Sequence, residues 1–125
     1  MIAIAIASLL QLGSCQAASP DRTRTSAEAA DIFLKGIEER DTSAMTWVVK
    51  PGAAFEIDGQ THSDKDFYAS IKADRSPRNN LVIVGLTSTP TTVAATTVYR
   101  GAPSVQTMTI FEFADGCITA VEVRH

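Results

Sequence analysis

The stretch from Leu81 to Arg124 constrains the fold most. It reads as three long β-strands over 81–88, 92–100 and 104–114, followed by a fourth over 117–124. The breaks between them, Thr89-Pro90-Thr91, Gly101-Ala102-Pro103 and Asp115-Gly116, are turn chemistry. The third candidate alternates. Val105, Thr107, Thr109, Phe111 and Phe113 fall on one face; Gln106, Met108, Ile110 and Glu112 fall on the other. Threonine is frequent in these runs, as its β-branch favours.

Upstream the apolar period changes from two to about 3.6. Thr25-Ser26-Ala27-Glu28 has the form of a capping box, and Ala29, Phe33 and Ile37 follow on one stripe, predicting a helix over 26–40. Asp41, Thr42 and Ser43 can cap a short second helix carrying Met45, Trp47 and Val48, which Pro51-Gly52 ends. Residues 53–58 predict a short strand, turned at Gly59. Ser63 can cap a third helix over 64–72, with Phe67, Tyr68 and Ile71 apolar. Helices first and a strand meander afterwards predict an α+β domain whose helices cover one face of an antiparallel sheet.

The chain has 125 residues, room for one domain. Eleven basic against fourteen acidic residues leave no footprint for a nucleic-acid partner. No P-loop, dinucleotide fingerprint, GxSxG, HExxH or CxxC occurs, so no cofactor and no metal are expected.

Met1 to Leu12 is almost wholly apolar, too short for a bilayer span and suited to an export signal over 1–17. No charge precedes Asp21, so the usual basic start is missing. Cleavage after Ala17 satisfies the small-residue rule; alternatively Leu12-Gly13-Ser14-Cys15 resembles a lipobox, in which Cys15 is lipidated. Either reading leaves Cys117 alone, a small half-buried residue after Asp115-Gly116, without a disulfide. The expected location is periplasmic, with membrane contact only through a lipid anchor. Residues 18–25 read as a polar tether and 26–125 as the domain.

This order of elements resembles the nuclear transport factor 2-like (NTF2-like) superfamily, which includes SnoaL-like polyketide cyclases and ketosteroid isomerase. The resemblance rests on Glu39-Arg40-Asp41 before the Trp47 helix, on Gly59 followed by Phe67-Tyr68-Ala69-Ser70, and on Phe111-Glu112-Phe113-Ala114-Asp115-Gly116-Cys117-Ile118. It implies a curved sheet wrapped round the helices as a cone, open at one end to an apolar pocket. Strand alternation would then turn Thr107, Thr109, Phe111 and Phe113 inward, with Val121, Val123 and His125 beside them. Phe33, Trp47 and Tyr68 would join from the helices. The resemblance also implies a homodimer through the outer sheet face, near Met108 and Ile110. Aligned on the isomerase, its two oxyanion donors fall at Phe33 and Thr109, and its base at Ile57 or Asp58. A phenyl ring donates no hydrogen bond, so steroid isomerisation is not expected.

Asp58, His62 and His125 are the candidate acid–base residues, because a pocket carboxylate and the two histidines could exchange protons near neutrality. The ligand-binding candidates are Phe33, Trp47, Tyr68, Thr107, Thr109, Phe111 and Val123. Glu56 could share a face with Asp58, and Arg100 could pair with Glu112 across strands. The expected function is an exported module that binds a small apolar molecule or associates with a second copy. The alternative is a small cyclase, isomerase or dehydratase using the Asp/His group.

Overall fold

The computed structural model of the protein describes Cys15, residues 24–74 and residues 80–125. The expected signal over 1–17 and tether over 18–25 therefore lie outside the described residues, apart from Cys15, Arg24 and Thr25. Among the described residues three helices, α1 (Ser26–Glu39), α2 (Thr42–Val48) and α3 (Asp64–Ala73), pack on six strands. These are β1 (Val49–Ile57), β2 (Gln60–His62), β3 (Leu81–Ser88), β4 (Thr92–Tyr99), β5 (Ala102–Ala114) and β6 (Cys117–Arg124). They form one sheet in the order β2-β1-β6-β5-β4-β3. Among the described residues no helix is long and apolar enough to cross a membrane.

The helix starts follow from their caps. Thr25 accepts from Glu28 N while the Glu28 carboxylate accepts from Thr25 N, a reciprocal capping box. Asp41 caps α2 at Ala44 N, and Ser63 caps α3 at Asp66 N. Between α1 and α2 the chain reverses tightly, with Arg40 in the left-handed region at φ 55°. A Cβ at Gly36 would come 2.5 Å from Met45 Cγ, so only glycine lets the two helices approach this closely.

Strands β3 to β6 form the expected antiparallel meander. The sheet as a whole is mixed, however: β1 runs parallel to β6, with Phe55 beside Val121 and Ile57 beside Val123. Strand β1 also begins earlier than expected and runs through Pro51 and Gly52. This is tolerated because β2 covers only Phe55 to Ile57, so Pro51 lies outside that pairing and its missing N–H costs no bond there. Gly52, at φ 78°, sits within the irregular step between Val49 and Ala54, and its N–H goes to Asp64 Oδ2 at 2.9 Å.

Two Asp-Gly pairs make two-residue hairpin turns. Asp58-Gly59 joins β1 to β2 and Asp115-Gly116 joins β5 to β6; all four residues have positive φ, as the favoured two-residue turn requires. The β2 strand was not expected, since three residues are too few to show a period. Arg100 lies in the β4–β5 turn and Glu112 stands opposite Thr92, so those two are not a cross-strand pair.

The core is aromatic at its centre. Phe33 of α1 meets the Phe111 ring edge-on at 5.2 Å, and Phe55 of β1 stacks on Phe67 of α3 at 4.6 Å. Met45, Val48, Val93, Ile118 and Val121 complete it. The expectation that Cys117 stands alone is corrected: Cys15 and Cys117 form a disulfide. The Cys15 sulfur is thereby the atom that a lipid thioether would also need.

Candidate functional site

Above the aromatic core the cone opens into a cavity of about 400 Å³, within the usual range for small-molecule sites. Every layer contributes to its wall: Leu34 and Ile37 from α1, Phe67, Ser70 and Ile71 from α3, and Ile57 from β1. Thr97 and Tyr99 come from β4, Val105, Thr107 and Thr109 from β5, and Val123 from β6. Leu81, Asp74 and His125 stand at its edges. The wall is therefore mostly apolar with a few hydroxyls.

Those hydroxyls differ in their commitments. Ser70 Oγ donates to Phe67 O at 2.7 Å, and Thr97 Oγ1 donates to Thr107 O at 3.4 Å. Thr109 is only 2% exposed as a residue and lines the cavity beside Thr107.

At the site the longest-range polar contact joins the first hairpin to the end of β6. Asp58 N donates to Val123 O at 2.9 Å, which seats the turn against β6. The carboxylate then takes the backbone N–H of His125 on Oδ1 at 2.9 Å and meets His125 Nδ1 with Oδ2 at 2.7 Å. Both side chains are about half exposed, at 56% for His125 and 52% for Asp58. The hydrogen bond from His125, backed by its backbone N–H and charge, holds the Asp58 carboxyl below its ordinary value.

Of the acid–base candidates, then, the structure brings Asp58 and His125 together, and of the two only His125 lines the cavity. It leaves His62 apart: that residue sits in β2 opposite Phe55 and does not line the cavity. Asp58 lies in the turn rather than in the strand, so it does not alternate with Glu56.

Of the ligand-binding candidates, Thr107, Thr109 and Val123 line the cavity. Phe33 and Phe111 instead sit fully buried in the core beneath it. Trp47 is 44% exposed on α2, with the Arg24 guanidinium 4.0 Å above its ring. Tyr68 packs edge-on against Phe55 and Phe67 and borders a separate shallow groove with Thr42, Ser43 and Lys72. Burial, with a smaller contribution from the Asp64 charge, pushes its phenol well above the usual tyrosine value. The rest of the lining, from Leu34 and Ile37 of α1 and Phe67 and Ile71 of α3 to Thr97 and Tyr99 of β4, was not among the ligand-binding candidates, because its contribution depends on which end of the cone it occupies. Among the described residues no cluster of three or more His, Cys, Asp or Glu could hold a metal.

No family model matches the chain, and no curated protein matches its sequence. Solved structures do resemble it. An NTF2-like protein of unknown function from Burkholderia xenovorans superposes with a TM-score of 0.64 at 13% identity, covering 78% of this chain and 79% of that one. IdmH of Streptomyces antibioticus, provisionally assigned as a polyketide cyclase, gives 0.65 at 10% identity, covering 78% and 88%. A Kribbella flavida protein provisionally assigned as a ketosteroid isomerase gives 0.64 at 10% identity, covering 78% and 74%. The fold is that of the NTF2-like superfamily: helices on an open, curved sheet.

Proposed function

We propose that the cone binds a small, mainly apolar molecule carrying one polar atom, in a protein exported from the cytoplasm. The observation that carries this reading is the mostly apolar cavity with the Thr107 and Thr109 side chains in its wall. Apolar walls supply the binding energy, and one hydroxyl together with His125 at the edge fixes orientation. Native mass spectrometry of the purified protein tests it. A bound small molecule that leaves on mild activation is expected. A chain that stays at its apo mass, and takes up no member of an apolar ketone and alcohol panel, would overturn the reading.

A second reading is acid–base catalysis on the same ligand, as in a cyclase, isomerase or dehydratase. The Asp58–His125 contact favours it, because a carboxylate on Nδ1 fixes the ring and leaves Nε2 as the proton-exchanging atom. Among the described residues nothing hydrogen-bonds Nε2. Once a turned-over ligand is known, Asp58→Asn should slow the reaction by roughly 10²-fold or more. Unchanged turnover would reduce the pair to a structural contact.

A further inference from the structure

Cys15 and Arg24 meet the same short helix from outside the folded domain's first cap. Cys15 N donates to Thr46 O at 3.0 Å, and Arg24 Nη1 donates to Trp47 O at 3.4 Å while its guanidinium covers the Trp47 ring. These are carbonyls of the last turn of α2, which has no residues beyond it to supply intrahelical partners. A seven-residue helix is marginal by itself and depends on such outside donors. The Cys15 side chain is equally committed: it is 1% exposed and bonded to Cys117, itself 0% exposed beside the β5–β6 hairpin.

We infer that Cys15 is a structural residue of the mature protein, kept through any processing and oxidised to Cys117 rather than lipidated. Three consequences follow from the chemistry. Cleavage after Ala17 would remove the donor to Thr46 O and leave Cys117 buried and alone, so any export cut falls upstream of Cys15. A lipid thioether would occupy the sulfur that Cys117 needs. The bond also requires an oxidising compartment. There the two thiols give up two protons and two electrons to an oxidised dithiol carrier, which leaves as its dithiol by thiol–disulfide exchange.

The inference rests on the export reading but not on ligand binding, because its test reads only covalent state. The full chain, with its own N-terminus, is produced in a bacterium competent for export, digested without reduction and mapped by mass spectrometry. The expected result is a cross-linked peptide pair containing Cys15 and Cys117 that separates on reduction with a gain of two hydrogens. A first residue at Ala18, a diacylglyceryl group on Cys15, or both cysteines alkylated without reductant would each overturn it.

Discussion

His125 Nδ1 lies 2.7 Å from Asp58 Oδ2, although the two residues are 67 positions apart in sequence. The contact forms because parallel pairing of β1 with β6 brings Ile57 beside Val123, which carries the turn after one strand to the end of the other. Its pH dependence has a definite sign. The folded state lowers the Asp58 carboxyl, so the stabilisation is present above the ordinary carboxylate range and is lost as pH falls through the lowered value. Urea unfolding of the parent and of Asp58→Asn between pH 2 and pH 6 checks this. The gap between the two should narrow on acidification, and added salt should shrink it at neutral pH, since the pair is exposed.

Gly36→Ala should lower stability. The new methyl would meet Met45 Cγ at 2.5 Å, and overpacking of this kind costs about 1–3 kcal/mol, against a gain of up to about 1 kcal/mol in helix propensity. Thermal melts should show a lower Tm. The same substitution should cost less when Met45 is already Ala, because the nearest neighbour is then gone and Asp41 O at 3.0 Å is the close contact left.

The core and cavity assignments separate Phe111 from Trp47. Phe111→Ala removes a fully buried ring that packs on Phe33 and should cost about 3–5 kcal/mol. Trp47→Ala removes an exposed ring outside the cavity and should leave probe binding unchanged. Denaturant unfolding and a binding titration on the two variants give the comparison.

Cys117→Ser should cost about 2–5 kcal/mol, since the disulfide joins residues 102 positions apart and restricts the unfolded chain. Reductant should lower the parent's midpoint toward that of the variant and leave the variant where it is.

Association through the outer sheet face remains a proposal. Met108 is exposed on that face opposite Arg124, with Ile110 opposite Glu122. Light scattering over a concentration series should show a dimer that Met108→Lys weakens. A parent chain that stays monomeric at every concentration would end this part of the account.

Much of this architecture is legible in the sequence, because its signals are local. The Thr25–Glu28 box, the alternation through Phe113 and the Asp-Gly turns each declare themselves within a few residues. Long-range relationships do not. Nothing near Cys15 announces Cys117, and nothing in residues 49–57 announces a parallel partner at 117–124. Alternation also gives the face of a strand but not depth along the cone. Thr109 and Phe111 point the same way, yet Phe111 lies in the closed core and Thr109 lines the open cavity. Asp58 and His125 were both recognisable by residue type, and only the register of β1 against β6 puts them in contact.

The most direct test of the account is a two-dimensional amide NMR titration with an uncharged apolar probe, N-phenyl-1-naphthylamine. Binding in the cone predicts saturable shifts at Thr107, Thr109, Val123 and His125, all of which line the cavity. Shifts confined to the outer face around Met108 and Glu122, or none that saturate, would contradict it.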